Sequence, residues 1–327
     1  MSASTLPTFA DVEAAARRLH DNAVTTPLLR APALDQHLGA AVLLKAEPLQ
    51  RTGSFKFRGA FNRLAQLTPA ERRAGVVAWS SGNHAQGVAA AAAILGVPAT
   101  IVMPADAPAI KIDNTRRLGA AVVTYNRVTE DREAIGRRIA AERGAVIVPP
   151  YNDPHVIAGQ GTVGLELMAQ ARAMDLAIDD VIVPASGGGL VAGVGLAVRH
   201  ANPAARVYTA EPEGYDDHRR SLEAGSPQRN LSTAGALCDA LLAPTPGALT
   251  WALNAQVLAG GYAVSDADVR RAMRFSFESL KLVVEPGGAA GLAAVLAGRH
   301  TCAGRTVAVV LSGGNVDSAV FSACLGD

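Results

Sequence analysis

Only four lysines, Lys45, Lys56, Lys111 and Lys281, stand among the 30 basic residues of this chain. Chemistry that requires a primary amine therefore has few candidates. An amine is nucleophilic only when neutral, and desolvation together with nearby positive charge lowers its pKa. Lys56 lies in the run Thr52-Gly53-Ser54-Phe55-Lys56-Phe57-Arg58-Gly59. Two phenylalanines flank it, a cation follows two residues on, and a helix starting near Ser54 would put it in the first turn. A surface lysine on an amphipathic helix would show the same pattern. Lys45 follows the strand-like Val42-Leu43-Leu44, Lys111 lies in a polar helical stretch with Asp113 and Arg116, and Lys281 sits beside a helix end.

Three corners between a strand-like run and a helix-like run carry more polar or glycine residues than a turn requires. The first is Trp79-Ser80-Ser81-Gly82-Asn83-His84-Ala85. Free backbone N–H groups at a helix start, added to the macrodipole, suit an anion there, and so would a plain cap. The second is Pro184-Ala185-Ser186-Gly187-Gly188-Gly189-Leu190, where three successive glycines let several N–H groups converge on one phosphate, or simply turn the chain. It is neither a P-loop nor a clean GxGxxG. The third is Leu311-Ser312-Gly313-Gly314-Asn315, a serine at the carboxyl end of a strand, where α/β sheets place ligand contacts. An amine, a phosphate cradle and polar groups around a flat ring together suit pyridoxal 5′-phosphate.

The elements that must hold these corners alternate. Apolar runs at Val76–Trp79, Thr100–Met103, Ala121–Thr124, Ala145–Val148, Val181–Pro184, Arg206–Ala210 and Thr306–Leu311 read as strands covered on both faces. Helical segments at Ala85–Leu95, Asp131–Arg143, Gly159–Ala173 and Leu190–His200 lie between them. This predicts an α/β fold with mostly parallel sheets. With 327 residues and no low-complexity linker, a second domain is expected to be woven into the first. A net charge of +1 excludes the basic field of a nucleic-acid binder. The apolar stretch from Gly87 to Ala105 is cut by Gly96 and Pro98, and reads as a buried helix and strand rather than a membrane span. Cys238, Cys302 and Cys324 are scattered, and the N-terminus shows no signal pattern. The expectation is a reducing cytoplasm.

The segments GSFKFRGA, SSGNHAQG, PYNDPHVIAGQGT, SGGGLVAG, AEPEGYDD, VEPGGAAGLAAVL and LSGGNVD occur in an order that resembles the serine/threonine dehydratase and serine racemase family. That family belongs to the tryptophan-synthase-β-like (fold type II) class of pyridoxal-phosphate enzymes. The resemblance runs from about Phe9 to Asp317. It implies two α/β domains: a large one of residues 1–52 plus 150–327 and a small mobile one of residues 53–149, with the cofactor in the cleft. Lys56 would form the Schiff base with Phe55 beside it. Asn83 would contact the cofactor's 3′-oxygen. Ser186, Gly187, Gly188, Gly189 and Leu190 would give N–H groups to the phosphate, and Ser312 would face the pyridine nitrogen. Ser81, Gly82, Asn83 and His84 would hold the substrate carboxylate, with Ser81 as a second acid/base opposite Lys56. Arg132 matches a position near the substrate. Glu211, Asp217 and the carbonyl of Tyr215 match a divalent-cation site, whose oxygen-only ligands suit Mg²⁺ or Ca²⁺.

The activity implied is α,β-elimination from a 3-hydroxy amino acid, L-threonine or L-serine first, giving a 2-oxo acid and ammonia. A dehydratase of 3-hydroxyaspartate or of a bulky phenylserine-like substrate, and a serine racemase, are the alternatives. Retention of Lys56 and Ser81 argues against a non-catalytic cofactor carrier. A homodimer is the family expectation. Three positions depart from the family pattern and bear on substrate size: Ser186 for a glycine, Ala240 for a glycine near the ring, and the Gly288-Ala289 pair where relatives are bulkier.

Overall fold

The computed structural model describes residues 5–80, 82–107, 109–232 and 234–326. In chain order its strands are β1 (Leu28–Arg30), β2 (Ala41–Ala46), β3 (Val76–Trp79), β4 (Ala99–Pro104), β5 (Ala121–Tyr125), β6 (Val146–Ile147), β7 (Asp180–Pro184), β8 (Arg206–Pro212), β9 (Leu258–Val264) and β10 (Thr306–Leu311). They form a six-stranded sheet, β1-β2-β10-β7-β8-β9, and a four-stranded sheet, β5-β4-β3-β6. Every pairing is parallel except β1 with β2. Helices cover both faces, so the central strands carry valine, isoleucine and alanine on both parities. Val307–Leu311 is buried without a break.

Each strand expected from the sequence is present, with ends shifted by at most two residues. The short antiparallel β1 and the glycine-bearing β9 were not expected. In β9 the paired Gly260 and Gly261 erase the apolar run. A Cβ on Gly261 would come within 2.3 Å of Thr209 Oγ1, so the strand approaches β8 too closely for a side chain there. Among the described residues no helix is long and apolar enough to cross a membrane.

The helix Lys56–Leu64 lies between the two sheets' cores. Phe57 and Phe61 join the apolar cluster of Val76, Ala78 and Ile101 under the four-stranded sheet. Its other side meets the helix Pro154–Ala173 almost backbone to backbone: a Cβ on Gly159 would lie 2.6 Å from the Arg58 carbonyl oxygen. Across that contact runs a buried ionic network. The Arg58 guanidinium donates to both Glu47 oxygens at 2.8 Å and to Glu166 Oε1 at 2.6 Å. Lys45 Nζ donates to Glu166 Oε2 and to the Thr26 carbonyl, each at 2.7 Å. Two cations thus face two carboxylates, Glu47 wholly buried and Glu166 partly exposed. Burial alone would raise Glu47, but the Arg58 charge and hydrogen bonds outweigh it and hold the carboxyl below its usual range. Lys45 is accordingly a core residue committed to Glu166.

Candidate active site

The unusual corners gather because the strands preceding them are neighbours. Ser312 follows β10 and the triple glycine follows β7. These strands pair in parallel, Val309 opposite Ile182. Glu211 is the penultimate residue of β8, the next strand over, and Ser80 follows β3 of the other sheet. All open at carboxyl ends of parallel strands, where an α/β sheet offers helix N-termini and loop N–H groups to a ligand.

Lys56 is the first residue of its helix. A bridge between Ser54 and Gly313, and a hydrogen bond from Phe55 N to the Ser312 carbonyl at 3.2 Å, bind it to the end of β10. Its Nζ donates to the Pro150 carbonyl at 2.8 Å and lies 5.0 Å from the centre of the Phe55 ring. Desolvation lowers the amine to about 8, against a smaller opposing pull from Glu285. The sequence suggested that Arg58 would add to this lowering, and the structure corrects that expectation. Positions two apart on a helix face different ways, and Arg58 turns to Glu47 and Glu166.

The glycine loop is braced from behind. Gly188 has φ +89° and caps the helix Gly189–Ala201, whose buried second residue is Leu190. On the helix Ala248–Val257, Thr250 and Asn254 share one face. Thr250 Oγ1 donates to the Gly187 carbonyl at 2.6 Å and Asn254 Nδ2 to the Gly188 carbonyl at 3.3 Å. With those carbonyls held back, the loop's N–H groups are free to point at an anion. Ser186 is absent from the positive-φ residues, so a side chain is tolerated, and its Oγ accepts from Ala243 N at 3.0 Å.

Asn83 opens the helix Asn83–Leu95 with Gly82 as its cap. Its Nδ2 donates to Glu285 Oε1 at 2.6 Å, and its Oδ1 accepts from Asn315 Nδ2 at 2.7 Å. Burial pushes Glu285 up to about 8, the Asn83 bond opposing it. His84 Nε2 donates to the Val148 carbonyl at 2.8 Å, and its Nδ1 is buried without a hydrogen-bond partner. Burial first, then the Lys56 charge, lowers the ring to about 3, so it is neutral. Ser312 is buried beside Gly288, whose carbonyl accepts Ser312 N at 3.3 Å. Arg132 is exposed at the start of the helix Arg132–Arg143. Ser81 lies outside the described residues.

Glu211 and Asp217 are buried, and His218 joins them, with ligand-type atoms of all three within 4.8 Å of one another. Burial first, then the Glu211 charge, raises Asp217 to about 7. A cavity of about 370 Å³ adjoins the main site. Lys111, Asp239, Pro286 and Asn315 help line it, and Lys111 Nζ stands 3.5 Å from Asp239 Oδ2.

Glu285, Asn315, Thr250, Asn254 and His218 were not singled out from the sequence. Glu285 had a signal, an acid before the helix-starting Pro286-Gly287-Gly288; the Thr250/Asn254 pair had only its spacing of four. Two of the departures have a defined place in the structure. A Cβ on Gly288 would meet the Gly313 carbonyl at 2.4 Å, so this glycine permits a backbone approach. Ala240 is exposed.

An amine of lowered pKa, a braced N–H cradle and a buried hydroxyl at one corner suit a flat carbonyl compound bearing a phosphate. The comparisons agree. Residues 20–313 match the family model described as pyridoxal-phosphate dependent enzyme. An L-threo-3-hydroxyaspartate ammonia-lyase of Pseudomonas sp. is 44% identical over 320 residues, covering 98% of this chain and 99% of that one. An L-threonine ammonia-lyase of Thermotoga maritima is 43% identical, covering 95% and 76%. The structure of maize serine racemase superposes with a TM-score of 0.92 at 37% identity, covering 98% and 97%. The chain belongs to the pyridoxal-phosphate-dependent enzymes of fold type II.

Proposed function

We propose that this enzyme is an ammonia-lyase that converts a 3-hydroxy amino acid to its 2-oxo acid and ammonia. The observation that carries this reading is the Lys56 amine, lowered to about 8 and seated between the Pro150 carbonyl and the end of β10. Pyridoxal phosphate, when bound, supplies an electron sink that acidifies the substrate's α-carbon. Lys56 would attach it and take the α-proton. N–H groups at the start of the helix Asn83–Leu95 would hold the carboxylate. Ser312 would offer a hydroxyl rather than a carboxylate to the ring nitrogen. That would leave the nitrogen uncharged and favour departure of the 3-hydroxyl over transamination. The glycine loop would seat the phosphate.

L-threonine and L-serine are the leading substrates. A second reading, 3-hydroxyaspartate, has its own support: Lys111 lines the adjoining cavity, where a second carboxylate could replace Asp239 as its partner. A relative so named matches nearly end to end. Residues 53–149 would form a mobile small domain closing on the rest. A homodimer in the cytoplasm, with Mg²⁺ or Ca²⁺ at Glu211, Asp217 and the Tyr215 carbonyl, completes the proposal.

The test is a panel of L-threonine, L-serine, both 3-hydroxyaspartate diastereomers and phenylserine, followed by 2-oxo acid and ammonia. Lys56→Ala should reduce turnover by a factor on the order of a thousand or more. Production of D-serine without any 2-oxo acid would replace the lyase reading with a racemase.

A further inference from the structure

His218 stands between two sites. It is wholly buried as the second residue of the helix Asp217–Ala224. Its Nδ1 faces the acids, 3.3 Å from Glu211 Oε1 and 3.7 Å from Asp217 Oδ2. Its Nε2 lies 3.2 Å from Asn254 Nδ2, the same amide that donates to the Gly188 carbonyl. An amide nitrogen only donates, so Nε2 accepts and the ring proton sits on Nδ1, toward the carboxylates. Contact with the loop is tight: a Cβ on Gly188 would lie 2.4 Å from His218 Nε2 and 2.6 Å from Asn254 Nδ2.

The acid pair is itself incomplete. Asp217 Oδ1 accepts from Asn230 at 2.7 Å, and the Glu211 oxygens accept the backbone N–H groups of His218 and Arg219 at 3.0 Å each. Asp217 Oδ2 and His218 Nδ1, by contrast, are buried without a hydrogen-bond partner. Two buried carboxylates with a bare oxygen suit a divalent cation. Such an ion would take the charge that now attracts His218 Nδ1.

We propose that His218 and Asn254 act as a relay that couples cation occupancy at Glu211 and Asp217 to the phosphate loop. The relay rests on the cation reading given above. An ion drawing on Glu211 Oε1 and Asp217 Oδ2 alters the pull on the imidazole. The imidazole fixes the Asn254 amide, and that amide shares the carbonyl of the loop's one left-handed glycine with the backbone N–H of Ala192, at 3.3 Å and 3.0 Å respectively. Turning that peptide re-aims the N–H groups beside it. His218 and Asn254 are positioning residues, since neither touches the reacting atoms. Because coupling is reciprocal, the cofactor must tighten the cation by the same factor as the cation tightens the cofactor.

The experiment titrates Ca²⁺, Mg²⁺ and Mn²⁺ into metal-stripped holoenzyme. Cation affinity is read by calorimetry, and the ³¹P shift of the bound phosphate by NMR. Cofactor affinity is then measured with and without saturating cation. The relay predicts a ³¹P shift on cation binding and a coupling factor between about 5 and about 150. It also predicts that His218→Gln and Asn254→Asp each bring the factor close to one while the cation still binds. Thr250→Ala provides the contrast: it removes the other brace, at Gly187, so cofactor affinity falls while the coupling factor stays. Absence of cation binding in the wild type overturns the cation reading and the relay with it. Cation binding with no ³¹P shift and no change in cofactor affinity overturns the relay alone, and needs no variant to fold.

Discussion

Asn83 and Glu285 lie 202 positions apart in the chain and 2.6 Å apart in the fold, the amide of one donating to the carboxyl of the other. The contact joins the helix that follows β3 of the small sheet to the helix that starts at Pro286 against the large one. It also commits the Asn83 side chain before any ligand arrives, and places a carboxyl of raised pKa close enough to Lys56 to feel its charge.

Glu285 sets a slope of stability with pH. Its folded value of about 8 exceeds the free value of 4.5, so the folded state keeps a proton that the unfolded chain has released. Its contribution is full below about 4.5 and is lost as pH rises through about 8. His84, lowered to about 3, acts the opposite way, and only below its free value of 6.5. Between about pH 6.5 and about pH 8, urea denaturation of the wild type should lose on the order of 1–2 kcal/mol more than Glu285→Gln does. Parallel pH curves for the two proteins would refute the assignment.

Arg58→Met should be among the more damaging changes in the core. It strands Glu47 in the interior, for which the expected cost is about 3–5 kcal/mol. The measurement is the shift in denaturation midpoint. A loss below about 1 kcal/mol would mean that the network relaxes or admits water.

Gly188→Ala combines a φ of +89° with a Cβ placed 2.4 Å from His218. A strain of roughly 1–3 kcal/mol at this one residue should weaken cofactor binding by about tenfold or more, measured by equilibrium dialysis. Undiminished affinity would separate this loop from the phosphate.

Lys111→Gln separates the two substrate readings. If the adjoining cavity takes a second carboxylate, KM for 3-hydroxyaspartate should rise roughly tenfold or more, the worth of a charge-assisted bond. The value for L-threonine should stay within about twofold. Equal effects on both would leave Lys111 a partner of Asp239 alone.

The sequence revealed the parallel strands because strands covered on both faces must be apolar throughout, and Val76–Trp79 and Thr306–Leu311 begin and end where the residues suggested. Lys56 was legible through its scarcity and its phenylalanine flanks. The groups behind the site were not. Thr250 and Asn254 carry no motif, and their role depends on a helix docking against a loop some 60 residues earlier in the chain. Arg58 misled, because proximity along the chain does not say which way a helical side chain turns. His218 was passed over beside two acids, whereas its importance lies in what its second nitrogen meets.

The ionic network under the helix Lys56–Leu64 has a mechanical consequence. Methyl groups slide past one another at little cost, but Arg58 cannot leave Glu47 and Glu166 without exposing charges to an apolar interior. Lys56 begins that same helix, whose Phe57 and Phe61 pack under the four-stranded sheet. If residues 53–149 close on the rest as proposed, the motion has to pivot at this helix, where Arg58 ties them to Glu47 and Glu166.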